Sequence, residues 1–173
     1  MSPALPGTVS GSKVQSIVAI GDLAVVGSRS SRLVTHALGS CIGLTLYDRA
    51  AGVGGLLHFM LPSSSDGDSL AVQPWAYATS GIPALFKTAY ALGADKSRLV
   101  VCAAGGAELS HSSDGLSIGK RNHTVLRKLL WKNGITLAAE DVGGEIARTL
   151  ELDMSSGSVL VRAGGASQVL WQS

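Results

Sequence analysis

The stretch LGSCIGLTLYDRAAGVGGLLHFMLP, residues 38–62, decides the fold because it holds two apolar β-like runs joined by a short turn. IGLTLYD (42–48) and VGGLLHFM (53–60) are suited to buried strands, and DRAAG (48–52) has the composition of a hairpin connection. A hairpin about this turn sets the Cys41 end of the first strand level with residues 58–60 of the second. The sequence therefore predicts that Cys41 and His58 are neighbours.

The remaining periodic segments predict more strands and two helices. Apolar periodicity at spacings of three and four residues indicates helices over 74–92 and about 119–132. The other predicted strands are 14–20, 22–26, 98–104, 135–141, 147–153 and 158–162. With about eight strands and two amphipathic helices, we expect an α+β fold, a layered α/β sandwich of mostly antiparallel or mixed sheets in which each helix covers one apolar sheet face.

Length and composition indicate one packed domain. The chain has 173 residues, of which 46% are hydrophobic and 15% charged, and its mean hydropathy is +0.31. Such a chain can bury a core without metals or disulfides. We expect a flexible N-terminal tail over residues 1–13, a single domain over 14–162 and a C-terminal tail over 163–173.

Several functional classes are disfavoured by the same sequence. The net charge is +2 and Lys and Arg are not clustered, which argues against a nucleic-acid partner. Apolar runs stay shorter than the roughly 20 residues of a membrane span, and the first residues do not resemble a signal peptide, so we expect no membrane insertion and a cytoplasmic location. Cysteine and histidine spacings predict neither a disulfide framework nor a metal site.

Cys41 is a candidate nucleophile because it follows Gly39 and Ser40 at the start of an apolar strand. Small residues at such a point let a substrate and main-chain N–H groups approach, as an oxyanion hole requires. The alternative for any lone cysteine in an apolar chain is a small buried hydrophobe. That alternative is our interpretation of Cys102, which lies inside the apolar run 98–104.

His58 lies between Leu57 and Phe59 and is either a hydrogen-bonded core histidine or a catalytic base. Its predicted neighbourhood with Cys41 favours the base, since an imidazole can take a thiol proton and return it to a departing amine. Thr35, six residues before Cys41, could fix the imidazole tautomer or could be an ordinary β-branched strand residue. The other histidines, His36, His111 and His123, are interpreted as surface residues.

Three segments resemble the CheD family of chemoreceptor glutamine deamidases. They are residues 38–62, IGKRNHTVLRKLL (118–130) and ITLAAEDVGGEIARTLEL (135–152), and the likeness extends over about residues 14–162. The resemblance implies that Cys41 is the nucleophile, His58 the general base and acid, and Thr35 the residue that orients His58. It implies hydrolysis of receptor glutamines to glutamate and ammonia through a thioester, with no cofactor, and places Gly39, Ser40 and Phe59 near the substrate and oxyanion.

The resemblance also implies partners: the cytoplasmic helices of methyl-accepting chemotaxis receptors, and a phosphatase of the CheC type. Two segments depart from the family pattern. An acidic residue is missing after Tyr77–Ala78, and CAAGGA (102–107) stands where K-x-F-G-G-A is common. These departures leave open an alternative, a non-catalytic CheD-like module that binds and regulates a CheC-type phosphatase.

Overall fold

The computed structural model describes residues 13–64, 73–108 and 117–173, which form ten strands, two α-helices and one short 3-10 helix, Lys96–Arg98. The helices are α1 (Ala78–Ala91) and α2 (Ile118–Lys132). The strands are β1 (Val14–Ile17), β2 (Leu23–Val26), β3 (Ser31–Leu38), β4 (Ile42–Asp48), β5 (Val53–Phe59), β6 (Val100–Gly105), β7 (Ala139–Val142), β8 (Arg148–Asp153), β9 (Val159–Ala163) and β10 (Ala166–Trp171).

The strands form two five-stranded sheets. The central sheet has the order β2-β5-β4-β6-β7, and the outer sheet has the order β1-β3-β8-β9-β10. Pairing is antiparallel except between β1 and β3 and between β6 and β7, which are parallel. The predicted α+β layered sandwich with mixed sheets is therefore confirmed.

Alternate residues along the central strands pack on opposite faces of the central sheet, one face toward the helices and the other toward the outer sheet. Leu44 and Leu57 contact the helix layer, where they join Leu85 of α1 and Leu126 of α2. The intervening Leu56 belongs to a second core with residues of the outer sheet. Both helices thus lie on the same face of the central sheet, so each covers an apolar sheet face as expected, and the two share it. The outer sheet covers the other face.

The predicted β4–β5 hairpin is present, with Gly43 opposite His58 and Asp48 opposite Val53. Its turn is closed by a hydrogen bond from the Gly52 N–H to the Asp48 carbonyl, and the Asp48 carboxylate accepts the Ala51 N–H. Gly52 has a φ of +67°, a conformation that glycine adopts without steric cost. The turn fixes the register on which the candidate site depends.

The two helices agree with their predicted cores. In α2 a stripe that includes Leu126 and Leu130 is buried, while Lys120, Arg127 and Lys128 are exposed. Helix α1 begins at Ala78, after turns that contain Pro74, so its predicted start at residue 74 is too early. Its buried residues include Ile82, Leu85, Phe86 and Ala89, whereas Leu92, predicted to pack with them, is 51% exposed.

Two strands were not predicted. Strand β3 pairs with both β1 and β8 in the outer sheet. Strand β10 pairs with β9, so the expectation that residues 163–173 form a tail is wrong for Ala166–Trp171. Of the predicted N-terminal tail, residues 1–12 lie outside the described residues. Within the described ranges no helix has the length and apolar character needed to cross a membrane.

Candidate active site

Thr35 and His58 meet between the two sheets. Thr35 is on β3 of the outer sheet, His58 is on β5 of the central sheet, and neither has exposed surface. The Thr35 hydroxyl oxygen lies 2.7 Å from His58 Nδ1. A buried imidazole requires such a partner because an unpaired polar group in a core is costly.

The hydrogen bonds around Thr35 determine the tautomer of His58. The Thr35 hydroxyl donates its single proton to the carbonyl of Val18, at 2.7 Å. It can therefore only accept from His58, so Nδ1 carries the imidazole proton and Nε2 carries the lone pair. Among the described residues, Nε2 has no hydrogen-bond partner. The arrangement leaves a buried basic nitrogen available to an incoming proton.

Cys41 lies one residue before β4 and is partly exposed. Because Gly43 is opposite His58 and alternate residues share a face, Cys41 is the diagonal neighbour of His58 on the side that faces the outer sheet. A side chain at position 43 would crowd this space, since a Cβ there would lie 3.3 Å from the Thr35 methyl group and 2.9 Å from Leu150. The hairpin thus has the predicted register, which sets Cys41 diagonally from His58.

Burial favours the neutral forms of His58 and Cys41. It lowers the pKa of His58 to about 4 and raises the pKa of the Cys41 thiol, although the Cys41 N–H partly offsets the latter shift. At neutral pH the resting pair is therefore a thiol and an imidazole, without a preformed ion pair. A thiolate would form only as the proton moves to Nε2 during attack.

The loop that contains Cys41 is held in place by hydrogen bonds to its main-chain carbonyls. The Ala107 N–H donates to the Gly39 carbonyl and the Gly106 N–H donates to the Cys41 carbonyl, each at 2.8 Å. The carbonyl between them, that of Ser40, accepts from the Asn122 side chain at 2.9 Å. All three carbonyl oxygens are engaged, so they do not compete for a donor on the substrate.

A strained residue separates Thr35 from the nucleophile loop. Ala37 has a φ of +58°, and the β3–β8 pairing shifts register between Thr35 and Leu38. A non-glycine residue in the left-handed region costs about 1 kcal/mol or more. The irregularity redirects the chain from the buried strand to the loop that carries Cys41, and such bulges are frequent beside active sites.

The other candidates fall in different places. Phe59, expected near the substrate, is fully buried in the core beneath the helices, on the face opposite to His58. His36 is exposed and pairs with Thr149, and the partly exposed His123 pairs with Glu140. His111 lies outside the described residues. Cys102 is fully buried between the sheets, and burial raises its pKa to about 11.

Sequence reasoning missed Asn122, which contacts the loop that carries Cys41 although it belongs to α2. One signal could have found it. Asn122 precedes Leu126 by four residues and so lies on the buried stripe of the helix, where an apolar residue is the norm. A polar residue on such a stripe needs buried partners, and those partners are at the candidate site.

Comparison with known proteins shows the family of this chain. The model of the family described as CheD chemotactic sensory transduction matches residues 60–163. A probable chemoreceptor glutamine deamidase CheD 1 from Syntrophus aciditrophicus is 43% identical over 150 residues, covering 86% of this chain and 94% of the relative. This chain belongs to the CheD family. The resemblance inferred from the sequence is thereby confirmed.

Two further relatives are similar over nearly the same span. A probable chemoreceptor glutamine deamidase CheD from Solibacter usitatus is 43% identical over 157 residues, covering 90% of this chain and 93% of the relative. One from Pyrococcus abyssi is 43% identical over 155 residues, with coverage of 88% and 94%. The family-model match begins at Met60, after Thr35, Cys41 and His58, so the site geometry and that match are separate observations.

Proposed function

We propose that this CheD-family chain is a cysteine-dependent protein-glutamine deamidase that acts on the cytoplasmic glutamines of chemoreceptors. Relatives named as probable chemoreceptor glutamine deamidases match this chain over nearly their whole length. The observation that carries the proposal is the Val18–Thr35–His58 hydrogen-bond chain, which leaves the Nε2 lone pair without a partner among the described residues. The hairpin register sets Cys41 diagonally from His58 on the same face of the sheet, and a histidine that served only packing would not need an unpaired nitrogen there.

In the proposed reaction, the Cys41 thiol transfers its proton to His58 Nε2 while the sulfur attacks the side-chain carbonyl carbon of a glutamine. The tetrahedral intermediate collapses as the carbon–nitrogen bond breaks, and the same proton moves from Nε2 to the leaving nitrogen to give ammonia. The acyl group remains on Cys41 as a thioester. His58 Nε2 then takes a proton from a water molecule as the water oxygen attacks the thioester carbonyl carbon. The carbon–sulfur bond breaks, the proton returns from Nε2 to the sulfur, and the thiol and the glutamic acid side chain, which ionises to glutamate, are released.

The oxyanion requires donors near Cys41, and we assign this role to the main-chain N–H groups of Ser40 and Cys41. In the part of the chain that the structure describes, neither N–H donates to a main-chain carbonyl, whereas the neighbouring carbonyls are all engaged. Main-chain donors that point at developing negative charge stabilise a tetrahedral intermediate without reorganisation. Gly39, which lacks a side chain, leaves room for the substrate amide.

Of the two segments that depart from the family pattern, residues 102–107 do not weaken the proposal. Cys102 and Ala104, at the positions of the usual lysine and aromatic residue, are buried between the sheets. The retained Gly105–Gly106–Ala107 supplies the N–H groups that hold the Gly39 and Cys41 carbonyls. The residues that support the nucleophile are thus present, which favours an enzyme over a module that only binds a CheC-type phosphatase.

The test is incubation of a receptor cytoplasmic fragment with the wild-type chain, Cys41→Ala and Cys102→Ala, with ammonia release and fragment mass as readouts. We expect ammonia from the wild type and from Cys102→Ala and none from Cys41→Ala. Equal release by Cys41→Ala would refute the proposal. Failure of all three proteins on several receptors would favour the phosphatase-binding alternative, which a binding assay with a CheC-type protein then tests. A substrate on receptor cytoplasmic helices also implies a cytoplasmic location, which cell fractionation would check.

A further inference from the structure

Asn122 is a fully buried amide on the apolar stripe of α2, and its side chain connects two strand ends of the central sheet. Its Nδ2 donates to the Ser40 carbonyl at 2.9 Å and to the Met60 carbonyl at 2.8 Å. Ser40 immediately precedes the proposed nucleophile, and Met60 follows the proposed base by two residues. One NH2 group therefore contacts both segments that carry the proposed chemistry.

The orientation of this amide is fixed by its partners. Both partners are carbonyl oxygens, which only accept, so the nitrogen must face them and Oδ1 must point away. Among the described residues Oδ1 has no hydrogen-bond partner. A leucine would pack on this stripe without an unpaired buried acceptor. The presence of an asparagine therefore points to a role for its two donors.

The bridge lies where the β4–β5 ladder ends. The last pair of the ladder is Ile42 opposite Phe59, and the same register would next set Cys41 opposite Met60. Beyond this pair the Asn122 side chain links Ser40 to Met60. The Gly106 and Ala107 N–H groups hold the same loop, but they belong to the β6 side and do not contact the His58 strand. The separation of the Cys41 and His58 segments past the ladder thus depends on Asn122.

We propose that Asn122 is a positioning residue that sets the Cys41 thiol relative to His58 Nε2 by tying the Ser40 and Met60 carbonyls together. Its catalytic consequence rests on the proposed deamidase function, whereas its effect on thiol reactivity does not. Small displacements of a nucleophile from its base reduce the rate of reaction strongly, with losses on the order of 100-fold for about 1 Å. We expect substrate binding to be unchanged, because Asn122 has no exposed surface with which to contact a substrate.

The first experiment uses Asn122→Leu, which keeps the branched shape but removes both donors, and Asn122→Ala. The matched control is Asn133→Ala, since Asn133 lies at the other end of α2 and its exposed side chain donates to the Leu129 carbonyl. Circular dichroism and thermal unfolding check the fold. The readouts are the rate of Cys41 alkylation by iodoacetamide, with buried Cys102 as internal reference, and kcat and KM for receptor deamidation.

We expect both Asn122 variants to slow Cys41 alkylation about 10-fold and to lower kcat by about 10- to 100-fold with KM unchanged, and Asn133→Ala to match the wild type. Alkylation and kcat within about twofold of the wild type, with only the melting temperature lowered, would overturn the proposal. Slower alkylation combined with no deamidation even by the wild type would support the positioning role and refute the proposed function.

A second measurement needs no variant and stands if the Asn122 variants do not fold. The chain contains two asparagines, Asn122 and Asn133, so labelling with 15N-asparagine gives two side-chain amide signals, assigned by their solvent exchange. We expect the Asn122 amide protons to exchange slowly and to shift when Cys41 is alkylated, and the Asn133 signals to stay unchanged. An Asn122 signal that exchanges rapidly, or that is insensitive to Cys41 alkylation, would overturn the proposal.

Discussion

The hydroxyl of Thr35 has one proton, and it donates that proton in a hydrogen bond to the Val18 carbonyl. His58 must then donate from Nδ1, which leaves the lone pair on Nε2, the nitrogen that we propose as the base. This arrangement differs from one in which a carboxylate orients the imidazole, because a neutral hydroxyl does not stabilise the charged imidazolium. It agrees with the low pKa of His58, about 4, which burial alone produces.

Thr35→Val tests the assignment of the tautomer. Valine preserves the shape of the side chain but removes the acceptor for Nδ1–H, so His58 can adopt the tautomer with its proton on Nε2. We expect kcat to fall by about 10- to 100-fold. Thr35→Ser, which keeps the hydroxyl, is the control and should retain most of the wild-type rate. Steady-state deamidation kinetics check this, and equal rates for the valine variant and the wild type would contradict it.

The two cysteines should differ strongly in reactivity. Cys41 is partly exposed, while Cys102 is fully buried and burial raises its pKa to about 11. We expect iodoacetamide at neutral pH to modify Cys41 at least about 100-fold faster than Cys102. Peptide mapping by mass spectrometry after timed quenching measures both rates in one sample. Comparable rates in the folded protein would show that the environment of Cys41 does not distinguish it.

At the scale of elements, the sequence predicted the strands and turns that have a clear local pattern of apolar residues. The β4–β5 hairpin has apolar runs on both sides of a turn, and the register that this pattern predicts is the one that brings Cys41 and His58 together. Strand β3 was not predicted because polar Thr35 and His36 interrupt its pattern, and the buried Thr35 hydroxyl hydrogen-bonds to His58 at the candidate site. Local patterning commonly fails where residues serve function. Strand β10 is mostly exposed, so it has no apolar alternation to detect.

The end of β6 should tolerate no side chain at Gly105. A Cβ there would lie 2.2 Å from the Cys41 carbonyl oxygen, and the φ of Gly105 is +117°. Gly105→Ala should therefore displace the nucleophile and abolish most activity, besides destabilising the fold by about 1–3 kcal/mol. Gly93→Ala is the control, because Gly93 has a similar φ of +100° but its Cβ would meet nothing within 4 Å.

Unfolding and activity assays of the two variants distinguish the effect of backbone strain, which both share, from the effect of a steric clash with Cys41, which only Gly105→Ala has. Gly93→Ala should lose stability through its backbone conformation and keep its kcat. Gly105→Ala should lose both. If the two variants had the same kcat, contact between Gly105 and Cys41 would have no part in holding the nucleophile.

At the scale of the whole molecule, the candidate site is assembled from residues of three different layers. His58 belongs to the central sheet, Thr35 to the outer sheet and Asn122 to the helix layer, so no two of these residues share a layer. Sequence patterns assign an apolar face to each element but do not say which faces meet. That both helices cover one face of the central sheet, and that Asn122 reaches the Cys41 loop, depends on tertiary packing.

Burial of neutral His58 should make stability depend on pH. Its pKa is about 4 in the folded chain and near 6.5 when unfolded, so the unfolded state binds more protons between these values. The free energy of unfolding should therefore fall as pH is lowered from 6.5 to 4, by up to about 1.4 kcal/mol per pH unit. Asp48 and Asp153, each with a pKa of about 2, extend the loss from pH 3.8 downward.

Urea unfolding of the wild type and His58→Gln over this pH range isolates the contribution of the histidine. The slope of the unfolding free energy between pH 6.5 and 4 should be reduced in the variant, while the loss at lower pH should remain. An identical slope in both proteins would mean that His58 is not buried in its neutral form.

The most direct test of the central claim is deamidation of a receptor cytoplasmic fragment in water enriched in oxygen-18. The proposed mechanism predicts that the wild type converts glutamine to glutamate with one heavy oxygen in the product, because water hydrolyses the thioester on Cys41. It predicts no conversion by Cys41→Ala, although that variant folds. Conversion by Cys41→Ala at the wild-type rate would contradict the mechanism, since the carbonyl carbon would then be attacked by a group other than the Cys41 sulfur.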